Sequence, residues 1–353
     1  MPSRGARLTS GMGEQGGEQQ GGEQQGNGRT DGHPIVAEGL GRRFGDVEAV
    51  KGIDLEIRQG EIFGFLGPNG AGKSTTVRIL TTLLRPTAGR AWVAGYDVVS
   101  QADDVRRSIG VALQDAAIDP LMTGRELLAL QAVLHGIPRA EGREKQERLL
   151  EKVSLTAAAD RRVGTYSGGM RRRLDLALAL MHEPRVMFLD EPTTGLDPNS
   201  RAAIWEEIRR LNDAGTTVFL TTQYMEEADE LTARIAIIDD GRIVAEGTPG
   251  HLKDEVGDPT LAVTVAPEAR AETEKAMARF GELVPGIDGQ VSVRLPDGAG
   301  RVSEVVRSLD QSGIVLEGLE LHRPTLDDVF QVFTGRRLEG AATENVTEEA
   351  APE

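Results

Sequence analysis

Gly67-Pro68-Asn69-Gly70-Ala71-Gly72-Lys73-Ser74 fits the pattern G-x-x-x-x-G-K-[ST], between the apolar run 62–66 and a helical pattern. That spacing in that context builds a phosphate cradle. Phosphate oxygens need several converging N–H donors, so the backbone must turn tightly with no Cβ in the way, as Gly70 and Gly72 allow. The helix that follows adds partial positive charge at its N-terminus. Lys73 can reach β- and γ-phosphates, the Ser74 hydroxyl can ligate Mg2+, and Thr75 completes the nucleotide-holding stretch. A second pattern complements the first. Val186-Met187-Phe188-Leu189 is an apolar strand ending in Asp190 and Glu191. Such a strand delivers Asp190 to the sheet edge beside the loop, where it can hold Mg2+ through water. Glu191 then faces the γ-phosphate side and can activate the attacking water as general base.

These two patterns are common to many ATPases, and the segment between them decides. Tyr166-Ser167-Gly168-Gly169-Met170 closely resembles the L-S-G-G-Q signature of ATP-binding cassette (ABC) proteins, with Tyr and Met at its ends. A Ser and two glycines opening a helix make a second phosphate nest. Further elements agree in order: Gln114 at the Q-loop position, Gly195-Leu196-Asp197 at the D-loop, and Phe44 at the place of the aromatic that stacks on adenine. The resemblance covers about residues 35 to 250. It implies that Gln114 takes part in catalysis and in holding Mg2+. It also implies that Phe44, Ser167, Gly168, Gly169 and Asp197 contribute to the ATP sites. In that family two domains pair head to tail, each ATP lying between one subunit's phosphate loop and the other's signature. Each motif occurs once here, so the expected partner is a second copy of the chain.

Thr222-Gln223-Tyr224-Met225-Glu226-Glu227-Ala228-Asp229 and Arg323-Pro324-Thr325-Leu326-Asp327-Asp328-Val329-Phe330, with Thr334-Gly335-Arg336, narrow the resemblance to the daunorubicin-resistance ATP-binding proteins. That group energises drug export through a separate ABC-2-type permease. The implied role is the ATP-hydrolysing subunit of a bacterial exporter of a drug or antibiotic-like compound, peripheral to the cytoplasmic face of the membrane. Gln223 stands where the superfamily usually has a switch histidine, and no histidine lies between His182 and His251 to replace it. Glutamine can donate a hydrogen bond at the γ-phosphate but cannot become cationic. That substitution motivates an alternative, a regulatory cassette that binds ATP as a nucleotide-gated interaction module. Non-transport ABC ATPases acting on ribosomes or DNA are a further alternative. They usually carry tandem cassettes, coiled-coil arms or a basic face, whereas this chain has one phosphate loop and a net charge of −16. No nucleic-acid partner is expected.

The elements that must position these residues follow from the rest of the 353-residue chain. Short apolar runs at 62–66, 186–189, 218–220 and 235–238 alternate with helical patterns, which predicts a parallel sheet covered on both faces. Asp239-Asp240-Gly241-Arg242 predicts a hairpin turn. The stretch at about 115–165 lacks strand signals and predicts amphipathic helices inserted into this α/β block. The expected fold is an α/β P-loop NTPase of the ABC nucleotide-binding type over 34–250, with a helical subdomain. From 251 to 337 alternating strands and helices predict a small α+β accessory domain, with a capping box at Thr325–Asp328. A chain cut after about Gly250 is expected to keep ATP binding but to assemble poorly. Residues 1–33, with a repeated Gly-Gly-Glu-Gln-Gln, and the acidic 338–353 read as disordered tails. Zero cysteines exclude disulfides, thiolate metal sites and thiol chemistry. No run is long and apolar enough for a membrane span, and the polar N-terminus is not a signal peptide. A cytoplasmic chain that needs a membrane partner is expected.

Overall fold

The computed structural model describes residues 32–113, 118–284, 290–296 and 299–335. Most of the expected N-terminal tail, the whole C-terminal tail, Gln114 and Arg336 lie outside the described residues.

The first segment runs β1 (Ile35–Phe44), β2 (Val47–Ile57), β3 (Ile62–Leu66), α1 (Lys73–Leu80), β4 (Ala88–Val93), β5 (Tyr96–Asp97), α2 (Ala102–Ser108) and β6 (Ile109–Ala112). Two helices follow, α3 (Gly124–Leu134) and α4 (Arg139–Lys152), and then α5 (Gly168–Ala179). The chain continues through β7 (Val186–Asp190), α6 (Pro198–Asp213), β8 (Thr217–Thr222), α7 (Met225–Leu231), β9 (Arg234–Asp239), β10 (Arg242–Gly247) and α8 (Pro249–Val256). The remainder is β11 (Thr260–Val265), α9 (Arg270–Met277), β12 (Leu283–Val284), β13 (Gln290–Arg294), α10 (Val302–Gln311), β14 (Leu316–His322) and α11 (Leu326–Thr334).

The main sheet has the order β10-β9-β3-β8-β7-β6. Its strands are parallel except β10, which pairs antiparallel with β9. Every residue of β3, β7 and β8 is buried, as a sheet covered on both faces requires. Phe63, Phe65 and Phe188 pack around Phe219 with ring centroids 5.5–5.8 Å apart, which locks the register of the three strands. That register sets Leu66 beside Thr222 and Asp190 beside Thr221, so the ends of β3, β7 and β8 arrive together. β9 and β10 meet in a two-residue turn in which Asp240 and Gly241 have φ of 45° and 75°, the primed geometry that matches strand twist.

A second sheet, β2-β1-β4-β5, is antiparallel throughout and was not separable in the sequence from the parallel one. The expected helical insert consists of α3, α4 and two 3₁₀ turns, Thr156–Ala158 and Val163–Thr165. Thr123 and Glu126 cap α3 reciprocally. Leu127, Leu128, Leu149 and Leu150 bury the facing sides of α3 and α4 with Leu174 and Leu176 of α5.

From β11 to β14 the order is strand, helix, strand, strand, helix, strand, with sheet order β12-β13-β11-β14, all antiparallel. This is the split βαβ arrangement. Leu261, Val263 and Val293 of the sheet bury against Met277 of α9 and Val305 and Leu309 of α10. The last helix does not stay with that sheet. Thr325 and Asp328 cap α11 as the sequence predicts, and Leu326, Val329 and Phe330 enter a core with Leu252 of α8, Leu66, Ile235 and Ile237. The accessory unit expected at 251–337 is therefore not self-contained: α8 and α11 complete the wall behind β3 and β9. A cut after Gly250 would uncover that wall. Phe330→Ala is expected to cost about 3–5 kcal/mol, since the ring is fully buried. Thermal unfolding of the full-length variant checks this; an unchanged Tm would show that α11 is dispensable to the core.

Candidate nucleotide-binding site

The loop after β3 is built by close backbone approach. A Cβ on Gly67 would lie 2.3 Å from the Ile238 carbonyl, so only glycine lets β9 pass there. Gly72 has φ of 110° and a Cβ on it would meet the Ala49 carbonyl at 2.6 Å. Gly67 N–H donates to Thr222 O at 3.3 Å, which fixes the loop to the end of β8. Pro68, Asn69 and Ala71 complete the turn, with the Ala71 N–H bonded to Pro68 O at 3.2 Å. α1 begins at Lys73, directly after this turn, with Ser74 and Thr75 in its first turn.

Lys73 is 4% exposed. Its Nζ donates to Gly67 O at 2.7 Å and Pro68 O at 3.1 Å, and lies 3.3 Å from Glu191 Oε1. Burial pulls the ammonium below its usual range, while Glu191 and Asp190 oppose that shift. Ser74 Oγ donates to Asp190 Oδ1 at 3.3 Å, and Thr221 Oγ1 donates to the same oxygen at 2.5 Å. Two oxygens of the kind that hard divalent cations prefer thus converge at the loop. Glu191 has φ of 49°, a left-handed conformation that costs a non-glycine residue about 1–3 kcal/mol and concentrates at functional sites. Its N–H is held by the Thr221 hydroxyl at 3.0 Å, and its Oε2 accepts from Thr194 at 3.3 Å.

Ser167 caps α5, its hydroxyl accepting from Met170 N at 3.2 Å. Gly168 and Gly169 lie against the turn into α6 of the same chain: a Cβ on Gly169 would meet Ser200 Oγ at 2.9 Å, and one on Gly168 would touch Leu196 at 3.8 Å. Asp197 caps α6, accepting from Ser200 N–H at 3.0 Å and from the Ser200 hydroxyl at 2.6 Å. Those bonds hold its carboxyl below the usual carboxylate range. The atypical ends of the signature have packing roles. Tyr166 is buried with its hydroxyl donating to Ala158 O at 2.6 Å, and Met170 packs on the core of the helical insert.

Phe44 ends β1 beside the hairpin whose second strand supplies the Ala49 carbonyl at Gly72. The residue is 45% exposed, with the Arg42 guanidinium over its ring, 4.5 Å from the centroid. Gln223 lies half-buried between β8 and α7, next to Thr222, whose hydroxyl accepts from Tyr224 N at 2.9 Å.

Two residues without a role in the sequence reading knit the site together. Glu227 is fully buried on α7 and accepts from Thr193 at 2.8 Å and Trp205 at 3.0 Å, tying the segment after Glu191 to the turn at Gln223. Arg172 of α5 reaches the backbone on either side of Glu191. No signal in the sequence singles Arg172 out of Arg171-Arg172-Arg173.

A phosphate loop and a strand-end carboxylate pair on a parallel sheet, with a helical insert leading to a Ser-Gly-Gly helix start, define an ATP-binding cassette. The ABC transporter family model matches residues 50–194. The chain is 47% identical over 313 residues to the daunorubicin resistance ATP-binding protein DrrA2 of Streptomyces coeruleorubidus, covering 88% of this chain and 97% of that one. It is 43% identical to the doxorubicin resistance ATP-binding protein DrrA of Mycobacterium tuberculosis, covering 87% and 95%. Among solved structures, cbiO1 of Clostridium perfringens, part of the cbiONQ ABC transporter complex, matches with TM-score 0.59 and 27% identity over 63% of this chain and 91% of that one. The dimeric ATP-binding cassette MJ0796, in a post-hydrolysis state bound to ADP and Pi, matches with TM-score 0.56 and 27% identity over 61% and 98%. The chain belongs to the daunorubicin-resistance ATP-binding family of ABC transporter proteins, and it is an ATPase.

Proposed function

We propose that the chain hydrolyses ATP with Mg2+ as one half of a head-to-tail pair of copies. The pair drives efflux of a drug-like compound through a separate ABC-2-type permease at the cytoplasmic face of the cell membrane. The observation that carries the hydrolytic part is the gathering of Ser74, Asp190, Glu191 and Lys73 in one loop mouth, joined by contacts of 3.3 Å. Ser74 and Asp190, with Gln114, would hold Mg2+, which spreads and neutralises phosphate charge. Lys73 is the cation that phosphates would draw away from Glu191. Once released, the Glu191 carboxylate can accept a proton from water. Phe44, half exposed with Arg42 over its ring, would stack on the adenine. Ser167, Gly168 and Gly169 open α5 and would donate to the phosphates held by the second copy, while Asp197 and Gln223 line the join.

The dimeric state of the related MJ0796 cassette supports the pairing, and the resistance named for the DrrA relatives supports export of a drug. Among the described residues no helix is long and apolar enough to cross a membrane. The test is accumulation of a fluorescent anthracycline in a drug-sensitive bacterial host. Co-expression with a candidate ABC-2-type permease should lower accumulation, and Lys73→Ala should restore it. Equal accumulation in all cases, with ATP still bound by the purified chain, would replace export with a nucleotide-gated module.

A further inference from the structure

Arg172 is nearly buried, in the second turn of α5, and four acceptors surround its guanidinium. Nε donates to Pro192 O at 2.9 Å and Nη2 to Asp190 O at 2.9 Å. Nη1 donates to Leu113 O at 2.8 Å and to Asp175 Oδ2 at 3.1 Å. The first two acceptors are the backbone carbonyls of Pro192 and Asp190, the residues that flank Glu191, which is held in the left-handed conformation at φ 49°. The third belongs to the residue that precedes Gln114. A strained backbone persists only where its surroundings over-determine it, and a planar fork bonded on both sides of Glu191 supplies that constraint.

We propose that Arg172 is a positioning residue: it clamps the backbone around Glu191 in its working geometry and ties that geometry to the signature helix. The proposal rests on the assignment of Glu191 as general base made above. The signature end of α5 would serve the ATP of the second copy, while Asp190 and Glu191 serve the ATP of their own chain. Arg172 therefore joins the two sites of the pair within one side chain. An ion pair kept only for stability does not account for this arrangement. Burial pushes the Asp175 carboxyl up to about 6 and lowers the Arg172 guanidinium, so desolvation works against both charges. The three backbone carbonyls, which cross between elements, are what the guanidinium gains by being there.

Two variants in the full chain test this, assayed for ATPase with the permease present. Arg172→Lys keeps the charge opposite Asp175, but an ammonium has three donors and no planar fork. Turnover should fall about 10- to 100-fold, as small misplacements of reacting groups do, with the KM for ATP little changed. Arg172→Met/Asp175→Leu removes both charges together, so no buried charge is left unpaired, and it lacks the clamp; circular dichroism and thermal unfolding check that it is folded. It should be as slow as Arg172→Lys. Wild-type turnover in the double variant would make the pair a structural element and overturn the clamp, whether or not Arg172→Lys folds. A rise in KM matching the fall in turnover would overturn it as well. In a Glu191→Gln background, Arg172→Lys should add little further loss in single-turnover assays, because the two act as one unit. A wild-type rate in Glu191→Gln alone would overturn the base assignment. Inactive Glu191→Gln beside fully active Arg172 variants would overturn the clamp alone.

Discussion

Glu191→Gln is expected to keep ATP binding and to lose turnover. The amide is nearly isosteric with the carboxylate, so the loop and the strand end keep their shape. It cannot accept the proton that attacking water must lose, and loss of a general base costs roughly 10²–10⁴-fold in rate. The side chain is in place for that role: it is 7% exposed, its Oε1 lies 3.3 Å from Lys73, and its backbone is pinned by Thr221. The substitution also removes the negative partner of Lys73, leaving the ammonium to the Gly67 and Pro68 carbonyls until phosphates arrive. Binding of ATP should therefore be at least as tight as in the wild type. A persistent ATP-bound dimer should appear by size-exclusion chromatography with light scattering. Retention of more than about a tenth of the wild-type rate would remove Glu191 from the base role, given the size of such losses.

The chemistry of this site is legible in the sequence because it is carried by residue types that few other structures need in that order. Glycines at 67 and 72, a lysine and hydroxyl after them, and a strand ending in Asp190 and Glu191 are local patterns. The parallel strands are legible for a related reason: burial on both faces leaves runs such as Val186–Leu189 with no polar interruption. The antiparallel sheet hides because its strands are half exposed and irregular. β1 carries register shifts between Ala37 and Leu40 and between Arg42 and Arg43, which break the two-residue alternation. Tertiary returns are hidden as well. The apolar stripe Leu326, Val329, Phe330 announces a buried helix face, but not that the face closes the wall behind β3 and β9. In the same way three consecutive arginines look alike in sequence. The helical register leaves Arg171 exposed, turns Arg172 toward Asp190 and Pro192, and sends Arg173 to the Val153 carbonyl at 2.9 Å.

Gln223→Ala is expected to slow hydrolysis more than it weakens ATP binding. Gln223 follows Thr222, whose carbonyl accepts from the first glycine of the phosphate loop at 3.3 Å, so it stands at the mouth of the site. The turn that carries it is fixed on both sides, by the Tyr224 N–H on the Thr222 hydroxyl at 2.9 Å and by Glu227 one turn further on. In the proposed pair, a side-chain amide at that position would supply a donor toward charge that develops on the γ-phosphate. Its N–H could also donate to the Asp197 carboxylate of the proposed second copy. Asp197 already accepts two bonds from Ser200, yet a carboxylate has about four lone-pair sites and can take another. Loss of one preorganised donor costs roughly 10²–10³ in rate when the donor acts on the transition state. Truncation to alanine leaves the turn intact, because the bonds that form it come from Thr222 and Tyr224. Gln223→His should be tolerated, since the residue usual in the superfamily fits the same slot. Glutamine brings no titratable charge near neutral pH, so the wild type should lack the pH dependence that Gln223→His introduces around the imidazole range. The measurements are steady-state ATPase with the permease present and nucleotide affinity of the same preparations. A wild-type rate in Gln223→Ala would reduce this residue to a polar end of β8 and leave charge stabilisation to Lys73 and the signature of the second copy.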